Sequence, residues 1–588
     1  MVKRFNKIAV LFIILSSIIF ILNAQTQPEL FTPMDQFTID SHVIYTSFFH
    51  WYSANAGQKT GPWIPLGGRE TWTGTTSFWK GQIKQVMAAN IDIMLVHLIP
   101  SWENQRITLF KALYEMRQEG YNVPKVAPFL DPIITWNNKA NVDLGTEDGK
   151  DELVSHYIRF FNQYFDNNPD EYAVHYLAKF DGRIILDSWH PHLNLDNINS
   201  FTRSDLETRL QTAFADEYPV FNNGIYQITT VHSPQNYTFA DEKVIQFEVH
   251  SYFEPNIFNN IKTVQIKPGY WDQNVRTPGY FMARKGGFYY KNMWTHVDHT
   301  YDRIYIESFN EYDEGSGIYA GETGDPYCIA TNTNSDQWST TNNPMEYIKT
   351  TAINAAKFND FQDYDSRILW HNIPDKMKTN EIITSQILVR NEGNVSWNNR
   401  CDVKMVFSFM QDSDQISSYI YKIDDSQDEI DFYGGVFRGR PMIFDVEFQA
   451  PVNIGNYTLT CVMQNEDGTT FGDSLKIDVI VENSSKIDQN HPTQFELHQN
   501  YPNPFNPSTN IKYSIEDDAN VTLSIYNTQG QFIKTLVQRS QSSGNYEVSW
   551  DGSNNLSVKL PSGIYICKLN ALSQKKEFNK TQKMILMK

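Results

Sequence analysis

Between about Asp40 and Phe358 the sequence alternates short apolar runs with amphipathic stretches of helical period, and this constrains the fold more than any other feature. The apolar runs predict strands at Val43 to Phe49, Ile91 to Leu98, Lys125 to Leu130, Arg183 to Leu186, Tyr226 to Val231, Lys243 to Val249, Thr263 to Ile266 and Arg303 to Ser308. The stretches between them predict helices at Ser77 to Ala89, Ile107 to Gly120, Glu152 to Asn162 and Gly287 to His299. No Gly-rich phosphate turn follows the first strand, so a (β/α)8 barrel fits better than a doubly wound sheet. In such a barrel, polar residues just past each strand face the active site. Those residues are His50, Trp51, His97, Asp131, Asp187, His250, Tyr270 and Glu311.

Beyond Asp365 the helical period disappears. Strands of four to eight residues, separated by Asn, Gly, Asp and Pro turns, predict a β-sandwich up to Glu482. A polar linker then leads into a final β-rich domain. The expected organisation is multidomain, a (β/α)8 TIM barrel followed by an Ig-like β-sandwich and a second small β-sandwich. The boundaries are 1–24 for a signal peptide, 38–365 for the barrel, 366–482 for the first sandwich, 483–494 for the linker and 495–588 for the last domain.

The amino-terminal segment carries Lys3, Arg4 and Lys7, then the apolar block Ile8 to Leu22, then Ala24, which is the pattern of a secretory signal peptide. That block is shorter than the roughly 20 residues that span a bilayer, so no permanent membrane span is expected. The 588 residues hold 49 Lys and Arg against 68 Asp and Glu, a net charge of −19 that argues against nucleic acid or an anionic membrane as partner. Aromatics make up 14%, too many for a disordered chain and enough for large cores. The 4 cysteines include no CxxC pair and cannot form a disulfide framework, although Cys401 and Cys461 fall in one β-rich segment and could pair.

The chemistry concentrates in Glu307-Ser308-Phe309-Asn310-Glu311-Tyr312-Asp313-Glu314-Gly315, where Glu311 and Glu314 follow the last predicted strand. Glycoside hydrolysis needs one acid to protonate the leaving oxygen and a second carboxylate to assist at the anomeric carbon. Glu311 and Glu314, three residues apart across an irregular turn, can share one pocket, with Asn310 available to a sugar hydroxyl or a carboxylate. An acidic turn of this kind is equally often just solvated. His50 and Tyr270 are expected beside the pair.

This loop resembles the SFNEWHEG-type motif of glycoside hydrolase family 99 and its relatives, including family 71, which act on α-linked mannans or glucans. Phe48-Phe49-His50-Trp51-Tyr52 is similar to the family's YYPWYG opening, and Pro268-Gly269-Tyr270 to its PGYDD-type segment. Gly286-Gly287-Phe288-Tyr289-Tyr290 followed by Met293-Trp294 resembles its GGxYYxxMW helix. The resemblance implies that Glu311 acts as base on the substrate's own 2-hydroxyl and Glu314 as general acid/base. It implies a retaining route through a 1,2-anhydro sugar. Tyr312 and Asp313 stand where the family has Trp and His, and Gly317-Ile318-Tyr319 where it has Gln-Ile-Glu, which bears on substrate identity more than on reaction type.

The stretches Ile382 to Trp397 and Phe444 to Gly468 resemble Ig-like accessory domains of secreted hydrolases. In the last domain, Gln499-Asn500-Tyr501-Pro502-Asn503-Pro504-Phe505-Asn506-Pro507-Ser508-Thr509 resembles the C-terminal sorting domain of the type IX secretion system of Bacteroidetes-type bacteria. The prolines set an extended, non-pairing lead-in. The resemblance implies the type IX machinery as a partner, and a secreted or cell-surface protein exported via the periplasm and outer membrane.

Weaker substrate-binding candidates are His50, Trp51, Tyr52, His97, Asp131, Asp187, Glu248, His250 and Tyr270. An Asp after a strand is more often a turn cap, and an aromatic ring is more often core than a stacking platform for a pyranose. His296, Asp298, His299 and Asp302 invite a metal reading, but read better as the solvated end of a helix. No metal and no cofactor is expected. The sequence thus predicts a secreted hydrolase of an α-linked polysaccharide or oligosaccharide, with a non-catalytic glycan-binding or adhesion protein on the same barrel as the alternative.

Overall fold

The computed structural model describes residues 36–51, 63–68, 71–135, 141–191, 193–231, 240–245, 256–271, 281–282, 288–311, 316–323, 343–398, 401–423, 435–483, 494–501, 503, 505, 508–527, 530–554, 560, 563–573 and 576–586. The expected signal segment and linker lie outside these residues, apart from Asn483 and Gln494 at the linker's ends. The chain forms two compact units. One takes in the chain up to Asp375 with Ile382–Gln449 and Asn456–Val479, and the other Lys376–Glu381, Ala450–Gly455 and Ile480–Lys588.

The first unit is organised by parallel strands: β1 Val43–Phe48, β2 Ile93–His97, β3 Lys125–Leu130, β4 Arg183–Trp189, β5 Ile225–Val231, β6 Glu242–Ile245, β7 Ile261–Ile266 and β8 Arg303–Ile306. β1 to β6 pair in chain order, β8 returns to the free side of β1, and β7 lies beyond β8, every one of these pairs being parallel. A short strand, Asn256–Phe258, pairs antiparallel on the outer side of β7, and β6 and β7 share no ladder among the described residues. They are joined by Thr263, whose hydroxyl donates to Lys243 O at 2.8 Å. Side chains from β1, β5, β6 and β8 also meet, Tyr45 and Tyr226 both donating to Glu242 at 2.5 and 2.9 Å, so the sheet is curved enough to bring distant strands together.

The longer helices that accompany it among the described residues are α1 Thr76–Ala88, α2 Glu103–Gln118, α3 Glu147–Asp166, α4 Arg203–Phe214, α5 Phe288–Trp294 and α6 Glu346–Phe358, with one further turn at Pro132–Thr135. Their starts are set by local chemistry. Thr75 accepts from Phe78 N, Thr146 accepts from Gly149 N ahead of Glu147 and Asp148, and Thr202 and Asp205 form a reciprocal capping box. The Thr146 cap explains why α3 begins five residues before the Glu152 read from periodicity. Buried faces of α1, α2 and α3, including Ile83, Leu109, Phe110, Phe160 and Phe161, join the strands in one core.

The sandwich comprises β9 Ser366–His371, β10 Lys376–Lys378, β11 Ile382–Asn391, β12 Lys404–Gln411, β13 Asp414–Lys422, β14 Pro441–Gln449, β15 Gly455–Gln464 and β16 Thr470–Glu482. One sheet runs β9-β11-β14 and the other β10-β16-β15-β12-β13. Alternate residues face inward, with Phe407 of β12 stacked on Phe448 of β14 at 5.6 Å. Cys401 and Cys461 are both free thiols, which corrects the pairing considered for them. Cys461 is buried on β15, and the Cys401 thiol faces Ser396 O at 3.4 Å.

The second unit holds the last sandwich, with β17 Glu496–Leu497, β18 Thr509–Ile515, β19 Ala519–Asn527, β20 Phe532–Gln541, β21 Gly544–Trp550, β22 Gly563–Ser573 and β23 Glu577–Leu586. Its sheets are β17-β18-β21 and β20-β19-β22-β23. Leu523, Ile525, Leu569 and Trp550 lie in its core. Pro502, Pro504 and Pro507 lie outside the described residues. The residues before and between them are tied to the final strand: Gln499 Nε2 donates to Lys583 O at 2.8 Å, Asn503 Oδ1 accepts from Ile585 N at 2.8 Å, and Phe505 bridges Leu586.

Candidate functional site

Parallel strands with their helical connections on the outside leave the strands' carboxyl ends as the place where polar side chains can gather. β1 leads into Phe49, His50 and Trp51, β2 ends on His97, β3 leads into Asp131, and β4 carries Asp187. β7 is followed by Lys267 and Tyr270, and β8 by Glu307 to Glu311. His97, Phe129 and Asp187 are register partners across β2, β3 and β4. Trp51 stacks on Phe49 with ring centroids 4.7 Å apart and lies 4.8 Å from the His97 ring.

Glu311 is 6% exposed, and its amide N–H donates to Ser308 Oγ at 2.9 Å. The neighbouring Asn310 is committed to the main chain, its Oδ1 accepting from Phe49 N at 2.8 Å and its Nδ2 donating to Phe49 O at 2.9 Å. Asn310, expected to be available to a sugar hydroxyl or a carboxylate, thus has one oxygen lone pair and one N–H engaged by Phe49. It binds the loop after β8 to the loop that carries His50 and Trp51, and so positions both. Phe309 N donating to Ser47 O at 3.0 Å, and Ile318 N donating to Phe309 O at 2.9 Å, fix the same loop further.

The electrostatics favour uncharged groups. Burial pushes His50 well below the usual histidine range, with Arg106 and His97 acting in the same direction. Burial also lowers His97, outweighing the opposing pull of Asp131, whose Oδ2 stands 3.8 Å from His97 Nε2. Burial and the Glu242 carboxylate hold Asp187 well above the usual carboxylate range. The ring nitrogens of His50 and His97 make no hydrogen bond among the described residues, nor do the hydroxyls of Ser47, Thr229 and Thr230. Asp187 likewise has no partner at hydrogen-bond geometry there, although Thr230 and the Ser188 N–H lie nearby. Buried polar groups left unmade cost about 1–3 kcal/mol each, and these gather at the carboxyl end of one sheet.

A third carboxylate, Glu307, faces the same region. It is paired with Lys267 Nζ at 3.0 Å and accepts from the Gln265 amide. Lys267 Nζ lies 5.1 Å from the centre of the Tyr270 ring, which is 6% exposed. Deeper in the strands, Glu242 and Arg303 are fully buried together, 3.6 Å apart, and burial raises the Glu242 carboxyl despite the Arg303 charge. Glu242 and Arg303 open β6 and β8 at the amino-terminal end of the strands, away from the site, whereas Glu307 and Lys267 lie at its end and were not read as site residues from sequence. The signal for Glu307 is the alternation Arg303, Tyr305, Glu307 against Ile304 and Ile306, which puts three polar side chains on one face of a buried strand. Tyr52, Glu248, His250 and Glu314 lie outside the described residues.

Two stretches match known domain families. Residues 372–481 match the Ig-like domain from next to BRCA1 gene, and residues 506–575 match the FlgD Ig-like domain. The carboxyl-terminal region is therefore built of Ig-like domains. No curated protein matches the sequence. Among solved structures there is weak similarity to the β-glucuronidase of Parabacteroides merdae, with 9% identity over 92% of this chain and 61% of that one and a TM-score of 0.28. Bacteroides uniformis β-glucuronidase 3 gives 9% identity over 94% and 64%, with a TM-score of 0.27. Dimeric latent PorU from Porphyromonas gingivalis gives 13% identity over 38% and 20%, with a TM-score of 0.16. The chain thus spans one fifth of the PorU chain and about three fifths of the β-glucuronidase chains. Overlaps this loose carry no chemistry from one chain to another.

Proposed function

We propose that the parallel sheet is a (β/α)8 barrel and that the protein is a secreted glycoside hydrolase of the family 99/71 type, acting on an α-linked mannan- or glucan-like polysaccharide. The observation that carries this is the placement of Glu311. It is buried just past the last parallel strand, in a loop that Asn310 ties to the loop bearing His50 and Trp51. In the proposed reaction Glu311 takes the proton of the 2-hydroxyl as O2 attacks the anomeric carbon, while Glu314 protonates the departing oxygen. Water then opens the 1,2-anhydro sugar, giving its proton to Glu314 as O2 recovers one from Glu311. Burial biases His50, His97 and Asp187 toward their uncharged forms, which suits an uncharged sugar polymer.

Residues 1–24 act, in this reading, as a signal peptide, and residues 495–588 address the protein to the type IX machinery. The full chain and its Glu311→Gln and Glu314→Gln variants are to be incubated with α-mannan and α-glucans and the released sugars measured. Losing an acid/base group costs roughly 10²- to 10⁴-fold in rate, and equal release by all three proteins overturns the proposal. Binding of these polysaccharides without turnover by any of them supports the glycan-binding alternative instead. Deleting Gln499 to Lys588 is expected to trap the protein in the periplasm, and normal export of the truncated chain overturns the sorting assignment.

A further inference from the structure

At the amino-terminal end of the strands, opposite the candidate site, three segments far apart in sequence bring His42, His299 and Asp360 together. One ligand-capable atom from each lies within 4.8 Å of the others, and they are the one such trio among the described residues. The architecture explains the convergence. His42 immediately precedes β1, His299 lies in the turn before β8, and β1 and β8 are register neighbours from Val43 and Arg303 onward. Asp360 stands two residues past α6, with a φ of 51° that turns the chain back after the helix.

His42 is already set for ligation. Its Nδ1 lies 2.8 Å from Phe358 O, and its ring stacks on Phe358 at 4.8 Å. A carbonyl accepts only, so Nδ1 carries the proton and the Nε2 lone pair is available. A histidine that donates its other ring N–H to a backbone carbonyl is the usual arrangement of a metal ligand, since that bond fixes tautomer and ring angle. The rings of His42 and His299 are 5.7 Å apart, and His299 Nδ1 is 3.6 Å from Asp360 Oδ2, longer than a hydrogen bond. The neighbours that might compete are engaged elsewhere: His296 Nδ1 pairs with Asn292 O, Asp298 accepts from Thr300, and Asp302 accepts from Lys262 N.

We propose that His42, His299 and Asp360 form a binding site for a divalent transition cation of the zinc class. Two imidazoles and a carboxylate are the donor set such a cation prefers, with the fourth tetrahedral position left to water. Bonds of about 2.0–2.1 Å place tetrahedral ligand atoms about 3.3 Å apart. His299 and Asp360 can reach that spacing by rotation, their side chains being 54% and 78% exposed. The bound ion ties the end of α6 to the starts of β1 and β8.

The test uses the full chain and its His299→Ala/Asp360→Asn variant, in which both positions are exposed and Asn keeps the left-handed backbone at 360 while removing the carboxylate. Both are titrated with Zn²⁺ by calorimetry and melted with and without the ion. The wild type is expected to bind one equivalent more than the variant, and to melt at a higher temperature with Zn²⁺ while the variant does not. Because the site lies at the opposite end of the strands, any polysaccharide hydrolysis is expected to be equal in the two. Equal zinc stoichiometry and affinity in both proteins, or a wild-type melting temperature unmoved by Zn²⁺, overturns the site.

Discussion

The carboxamide of Asn310 grips both main-chain polar groups of Phe49, accepting from its N–H at 2.8 Å and donating to its C=O at 2.9 Å. Both residues are buried, so Asn310→Ala leaves an N–H and a C=O without partner or water. The expected cost is about 2–4 kcal/mol, read as a lower denaturation midpoint with an unchanged denaturant slope. On the proposed substrate, kcat is expected to fall as well, because the loops carrying His50 and Glu311 lose their common anchor. A variant with wild-type stability shows that the clamp is dispensable.

The buried pair Glu242 and Arg303 makes a different prediction. Glu242 also receives the hydroxyls of Tyr45 and Tyr226, and Arg303 donates to Ile39 O at 2.8 Å and Asp302 O at 2.9 Å. Glu242→Leu leaves a fully buried guanidinium without its counter-charge, with an expected cost of about 3–5 kcal/mol. Adding Arg303→Met removes the stranded charge, so the double variant is expected to be more stable than the Glu242→Leu single one. Additive losses in the double-variant cycle contradict this.

Stability is also expected to depend on pH through the neutral histidines. His50 and His97 are lowered in the folded state, so between that value and about 6.5 the unfolded chain binds more protons. Their contribution is complete above about pH 6.5 and is lost as the pH falls. The loss reaches up to about 1.4 kcal/mol per pH unit for each histidine. Asp187 has the opposite sign, since its raised value means that stability is lost as pH rises through the folded value. Denaturation of wild type and His97→Gln at pH 7.0 and 5.5 checks the first effect: the variant is expected to lose less on acidification. Asp187→Asn is expected to remove the loss of stability that sets in as the pH rises above about 3.9, the ordinary aspartate value, and parallel curves for wild type and both variants contradict the assignment.

The eight strands were legible in sequence because each is a short apolar run bounded by polar turns, and the structure places a strand at every one of those runs. Helix limits were less so. Periodicity marks a buried face, whereas the cap at Thr146 that starts α3 is a single hydroxyl. Asn310 could be seen as a polar residue at a strand end, but nothing local decides whether an amide meets a sugar or a main chain 261 positions away. The Glu242 cluster was hidden because Tyr45 lies 197 positions from Glu242. His299 drew attention through its sequence neighbours, yet its spatial partners come from residues 42 and 360. Spacing along a helix reports neighbours on that helix, not residues that the fold brings in from elsewhere.

Within the first unit the strands and the Ig-like sandwich share a boundary at Gly120, just past α2, and this predicts how they unfold. Gly120 has a φ of +90°, and its carbonyl accepts from the fully buried Arg390, which also pairs with Glu392 at 2.6 Å. A methyl group there would stand 3.2 Å from Leu369 Cδ1, 3.4 Å from Leu388 Cδ2 and 3.5 Å from Pro441 Cβ, all sandwich atoms. Leu369, Trp370 and Leu388 pack with Tyr172 from the other side of the boundary. Gly120→Ala therefore combines a left-handed backbone that disfavours a side chain with a crowded contact, at an expected cost of about 1–2 kcal/mol or more. Because the boundary is shared, the loss is expected in one transition that carries both the strands and the sandwich. Calorimetry of the variant checks this: a lowered transition for the strands beside an unmoved one for the sandwich shows instead that the two unfold independently.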